Sequence, residues 1–152
     1  MYIVHLKIMD TLLVELETEG LNRLNQGDIE QAANIFAKIV SKLPDYEHGM
    51  CFYDLAGCLE DLGNFEKAEE NYLAAIKYDP DDLIRLGGYA SFLYLHGDPK
   101  KAFDAHLHLL FLESERGQTE DVENTTLAVK ALGKRLGLSE NEVERKINEQ
   151  VS

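Results

Sequence analysis

Two histidines, two cysteines and a pair of adjacent carboxylates are the residues whose types and spacing could do chemistry in this sequence. His106 and His108 are two apart. On a helix they point about 200° away from each other, and no cysteine or carboxylate completes a ligand set with them. A metal site is therefore not expected. His106 is expected in or beside the core, and His48 and His96 at turns. Cys51 and Cys58 are seven apart. On one helix their Cα atoms stand about 10 Å apart, beyond disulfide reach, so both are expected reduced, as in the cytoplasm. Glu60 and Asp61 are a pairing common on solvated helices and carry no specific catalytic information. No phosphate loop, dinucleotide glycine pattern or nucleophile with a base partner is present. The chain is expected to be no enzyme and to need no cofactor.

The balance of charge narrows the partners. Twenty-eight acidic residues face 15 basic ones in 152, for a net charge of −13. That charge argues against nucleic acid or an anionic membrane as the main partner. With 45% apolar residues the chain is too hydrophobic for an acidic disordered segment. No run approaches the roughly 20 apolar residues of a membrane span. Met1 to Asp10 is apolar but has no basic start and no small-residue cleavage site, so it does not read as a signal peptide.

These residues must be carried by some set of elements, and an internal repeat defines it. Gly27, Gly63 and Gly97 are spaced 36 and 34, and Ala32, Ala68 and Ala102 keep that spacing. So do Leu16, Phe52 and Leu86 upstream and Phe36, Tyr72 and His106 downstream, while Pro44 and Pro80 are again 36 apart. Each unit reads as a helical hairpin. A left-handed glycine ends one helix, and Asp28, Asn64 or Asp98 caps the next through its side-chain oxygen. A small alanine permits close approach, an aromatic ring fills the gap, and proline stops the second helix. Helices are expected near 9–26, 28–43, 47–62, 64–78, 82–96 and 98–116. A polar break at 117–121 follows, then a helix over 122–136 and a last one from Ser139. Ser139 and Glu142 form a capping box. Residues 2–8 are compatible with strand, coil or an early start of the first helix.

In these residues the chain resembles the tetratricopeptide repeat family. The second unit, 49–82, carries Phe52, Leu55, Ala56, Leu59, Gly63, Phe65, Ala68, Tyr72, Ala75 and Pro80 at the family's offsets. The first unit, 13–46, departs at Glu19 and Arg23, and the third, 83–116, at His106 and Ser114. Two extra residues within Asp45–His48 separate the first two units. The resemblance implies an all-α superhelix of three helical hairpins, preceded by segment 1–12 and extended by capping helices over 117–152. It also implies a concave groove lined by the first helix of each unit, holding a peptide or helix of a partner. Carried over by position, the groove residues are Glu17 and Asn25, then Met50, Tyr53, Asp54, Gly57, Glu60 and Asp61, then Gly88, Ser91 and Tyr94, with Leu21, Leu24, Ile84 and Leu95 beside them. The basic clamp that some members use for a chaperone's terminal carboxylate is missing, because those positions hold Glu17, Leu21, Tyr53, Gly57, Gly87 and Ser91. An acidic groove with Tyr53 and Tyr94 suits a basic or arginine-containing segment instead.

The segment Leu127–Glu144 resembles a DNA-binding helix-turn-helix. Its second helix offers Glu140, Glu142 and Glu144 against Arg145 and Lys146, a poor match to phosphates. The apolar run Leu109–Leu112 is either covered by the C-terminal helices or a surface for self-association. The expected function is therefore a cytoplasmic protein–protein interaction scaffold. A chaperone similar to the class II type III secretion chaperones, or an immunity partner of a basic toxin, would be specific forms of it. A transcriptional regulator and a self-associating structural protein stand as alternatives.

Overall fold

The computed structural model describes the backbone of residues 2–151 and the side chains of residues 11–151. The described residues form eight α-helices: α1 (Tyr2–Asn25), α2 (Ile29–Lys42), α3 (Met50–Asp61), α4 (Phe65–Tyr78), α5 (Leu83–His96), α6 (Pro99–Glu115), α7 (Thr119–Arg135) and α8 (Glu140–Val151). One 3-10 turn, Tyr46–Gly49, precedes α3. The fold is all-α, as the repeat implies. The backbone of residues 2–8 is the early start of α1. The polar stretch 117–121 is no break of five residues: α7 begins at Thr119 and only Arg116, Gly117 and Gln118 connect it to α6.

The turns show which local rules operate. Gly27 and Gly63 are left-handed, at φ 77° and 75°. After Gly27, Asp28 N–H bonds to Arg23 O and Gly27 N–H to Leu24 O. After Gly63, Asn64 N–H bonds to Leu59 O and Gly63 N–H to Glu60 O. This pair of bonds closes the carbonyl end of each helix. It also corrects the expected caps. Asp28 and Asn64, held at ψ 68° and 70°, make no side-chain cap bond, because their backbone N–H groups are committed to the preceding helix. The third turn differs. Asp98 precedes Pro99, and a pre-proline residue is pushed to extended values. At ψ 128° its carboxylate accepts from Lys100 and Lys101 N–H. Gly97 is extended rather than left-handed. It is needed for space, since a Cβ there would sit 2.8 Å from the Cα of Leu93. Leu43 and Asp79, before the other two prolines, end α2 and α4 at nearly identical angles, φ −145° and −146°.

Two compact units divide the chain, Met1–Asp79 and Pro80–Ser152. In the first, α1 packs on α2, α2 on α3 and α3 on α4. Ala32 and Ala68 are fully buried, and Phe36 fills the space beside Ala32. The inserted residues form the 3-10 turn, where Glu47, His48 and Gly49 are all left-handed. Gly49 lies against the Tyr78 ring, which stacks at 5.9 Å on Phe52. In the second unit α6 is the hub, contacted by α5, α7 and α8. Of the apolar run Leu109–Leu112, Leu109 and Leu110 are buried there and Leu112 is half-buried, while Phe111 stays exposed. Thr125 of α7 donates to Glu113 of α6 at 3.1 Å. Ser139 and Glu142 form the expected reciprocal cap of α8. On the solvent side of α8, Arg145 pairs with Glu149 at 2.6 Å, and Glu144 with Lys130 of α7 at 2.7 Å.

Candidate binding site

The first unit gathers carboxylates and phenols on α1, α3 and their neighbours. Tyr46, in the 3-10 turn, donates its hydroxyl to Glu17 of α1 at 2.9 Å. Tyr72 of α4 donates to Glu60 of α3 at 2.8 Å, and its ring meets Tyr53 edge-on at 5.7 Å. Burial first, then the bonded carboxylate, pushes both hydroxyls well above the usual phenol range. Asp54 is half-buried on α3. Desolvation and then the Glu17 charge raise its carboxyl to about 6. Cys51 and Cys58 behind it are pushed up to about 12 and about 11, by burial first and by Asp54 next. Buried thiols of this kind are inert.

The structure therefore places Tyr53 next to the Tyr72–Glu60 pair, and the Glu17 charge is felt at Asp54. Asp61 is exposed and its charge is felt at Cys58 and Tyr72. Met50 opens α3 half-buried, and Gly57 faces open space. Asn25 ends α1, exposed. Sequence reasoning missed Tyr46 and Tyr72 as partners of these carboxylates. Tyr72 read as a gap-filling ring, and Tyr46 belongs to the insertion, where no repeat position guides the eye.

In the second unit the candidate residues face a different environment. Ser91 and Tyr94, with Leu95, form the α5 wall of a pocket of about 560 Å³. His106 of α6 and Leu127, Ala128 and Ala131 of α7 complete it. Gly88, one turn earlier on α5, is half-buried. Leu95 and Leu127 are each 66% exposed, so the mouth is apolar. The Arg135 guanidinium lies 5.7 Å over the Tyr94 ring and donates to Tyr94 O at 3.0 Å. No acidic residue occurs between Leu83 and His96. The acidic character expected of the groove is thus confined to the first unit's residues. The α7 wall went unnoticed in the sequence, although Leu127, Ala131 and Arg135 recur every fourth residue. Among the described residues no group of three histidine, cysteine or acidic side chains is placed to hold a metal. No described helix is long and apolar enough to cross a membrane.

Comparison with known proteins fits this architecture. Residues 23–88 match the sequence model of the tetratricopeptide repeat. Among solved structures, a chain of a T3SS complex from Aeromonas hydrophila superposes with a TM-score of 0.73 at 19% identity, covering 85% of each chain. The TPR2B domain of yeast Sti1, in its complex with pHsp70, superposes with a TM-score of 0.70 at 15% identity, covering 81% of this chain and 97% of that one. Among curated proteins no match is found. Residues 23–88 are thus similar to the tetratricopeptide repeat, and the all-α fold of the described residues is that of these two solved structures.

Proposed function

We propose that this chain is a non-catalytic cytoplasmic scaffold that binds a basic, arginine-containing segment of a partner protein on the α1–α3 face of residues 2–79. The carrying observation is the half-buried Asp54, which feels the charge of Glu17, with Tyr53 and Glu60 on the same helix α3. Asp54 is held in a partly desolvated place in the field of a like charge, and an incoming guanidinium would relieve both penalties. Tyr53 offers that guanidinium an aromatic face.

The test is an array of arginine- and lysine-containing peptides probed with wild type, Tyr53→Ala and Asp61→Lys. Asp61 serves better than Glu60, because replacing Glu60 strands the Tyr72 hydroxyl. Wild type is expected to retain arginine-rich peptides, with loss of at least about tenfold in both variants and on raising salt. Retention of the same peptides by all three proteins refutes the reading.

The likeness to a T3SS-complex chain of matching coverage favours one specific form, a chaperone for a secreted protein. Co-expression with a candidate secreted partner decides it: a complex that co-purifies and keeps the partner soluble supports this form, and an insoluble partner counts against it. A DNA-binding use of α7 and α8 gains nothing from the structure. Of the five basic residues on these helices, Lys130 and Arg145 are paired with Glu144 and Glu149, and Arg135 lies over the Tyr94 ring.

A further inference from the structure

In the pocket between α5, α6 and α7, His106 sets a ring against a lining of Leu95, Leu127, Ala128 and Ala131, with Ser91 and Tyr94 on α5. His106 is 6% exposed, and its Nδ1 lies 2.8 Å from the carbonyl oxygen of Ala102. A carbonyl can only accept, so Nδ1 carries the proton. Burial favours the neutral ring, lowering its proton affinity below the ordinary histidine value. In that tautomer Nε2 is a bare acceptor. It makes no hydrogen bond among the described residues, and it is not sealed off, since the ring lines the pocket. Phe36 and Tyr72 hold the corresponding places in the other hairpins, so packing alone asks only for a ring. A histidine here adds an acceptor to an apolar pocket. At the rim the Arg135 cation lies over Tyr94, and α5 contributes no acidic residue to offset it.

We infer that this pocket receives a tryptophan side chain from an acidic segment of a partner protein. The indole packs against Leu95, Leu127 and Ala131, its N–H donates to His106 Nε2, and a neighbouring Asp or Glu carboxylate meets Arg135. Tryptophan fits better than tyrosine because the indole nitrogen only donates, matching a group that only accepts, whereas a phenol brings an oxygen with lone pairs of its own. The volume of about 560 Å³ accommodates an indole with room for the adjoining backbone. This inference shares with the proposed function only the premise of protein binding. It concerns residues of the other unit and an oppositely charged segment.

The experiment uses the full-length chain with 13C-labelled methyl groups, titrated with three short capped peptides: Glu-Trp-Glu, the same peptide with benzothienylalanine in place of tryptophan, and Lys-Trp-Lys. Benzothienylalanine keeps the shape and loses the N–H. Glu-Trp-Glu is expected to shift the methyls of Leu95, Leu127 and Ala131. The sulfur analogue and the lysine peptide are each expected to bind about fivefold or more weakly, as for loss of one hydrogen bond or one charge pair. His106→Phe, which keeps a ring where Phe36 already serves, should abolish the difference between tryptophan and its analogue. Arg135→Gln should abolish the difference between the glutamate and lysine peptides. Equal binding within either pair by wild type overturns the inference, as does an absence of shifts at the three methyls. Binding is read only at these three methyls of the second unit, so Lys-Trp-Lys held by the acidic face of the first unit does not enter the comparison.

Discussion

Asp54 shows how one side chain can tie the stability of a fold to pH. Its folded value of about 6, against an ordinary 3.8, means that between these pH values the folded state holds a proton the unfolded chain has released. Stability therefore falls as pH rises from about 4 to about 6, and the deficit persists above that range. Asp54→Asn should remove this slope and stabilise the protein by about 1–3 kcal/mol at pH 7. Urea unfolding at pH 4, 5, 6 and 7 checks both parts; a variant that keeps the slope contradicts the assignment. Tyr72→Phe is expected to cost about 1 kcal/mol, because it removes the donor to Glu60 from a buried ring. At this scale the sequence was partly legible. The positions of Tyr53, Asp54 and Glu60 follow from the repeat. What the hydroxyls of Tyr46 and Tyr72 bind does not, because those bonds join residues 29 and 12 apart whose contact depends on tertiary packing. His106 was legible as a buried ring but not as an acceptor, since its tautomer is fixed by the carbonyl of Ala102.

Among the elements, the inserted turn before α3 is the most constrained. Glu47 and His48 are left-handed at φ 48° and 52°, which costs a residue with a Cβ about 1–2 kcal/mol. Both are exposed. His48→Gly should therefore raise stability by about 0.5–1 kcal/mol, measured as a higher urea midpoint with unchanged slope. Gly49→Ala should do the opposite, by about 2 kcal/mol or more, since φ is 77° and a Cβ would enter the Tyr78 ring. A midpoint that moves the other way in either variant would show that the turn is not as strained as its angles imply. The helices after α1 were legible to within about three residues, because glycine and proline mark their ends and alanine and aromatic residues their contact faces, whereas no such mark precedes α1, which begins at Tyr2 rather than near residue 9. The caps were less so. Asp28, Asn64 and Asp98 look equivalent in sequence, yet only the one followed by proline is free to turn its carboxylate onto the next helix. The early beginning of α7 escaped notice because Thr119, Glu120 and Asp121 look like a loop by composition but also suit the positive first turn of a helix.

For the whole molecule, charge is unevenly shared. Fifteen of the 28 acidic residues but only six of the 15 basic ones fall in Met1–Asp79. Raising ionic strength from about 20 to about 200 mM shortens the screening length from about 20 to about 7 Å. Self-repulsion should then relax more in the first unit than in the second. Amide hydrogen exchange is expected to slow more in residues 11–79 than in 80–151 on adding salt, and an equal response in both would exclude this imbalance as a source of instability. The repeat signal does not reveal the difference between the units, because glycine, alanine and ring positions recur in both while the surface residues vary. The cysteines follow the same division. Both lie buried in the first unit, unbridged and with raised thiol values, and the second unit contains none. The chain thus carries a built-in stopwatch. The rate at which a thiol reagent colours the native protein times the opening of residues 2–79 alone, and any partner that holds that unit shut will slow the colour without a label being introduced.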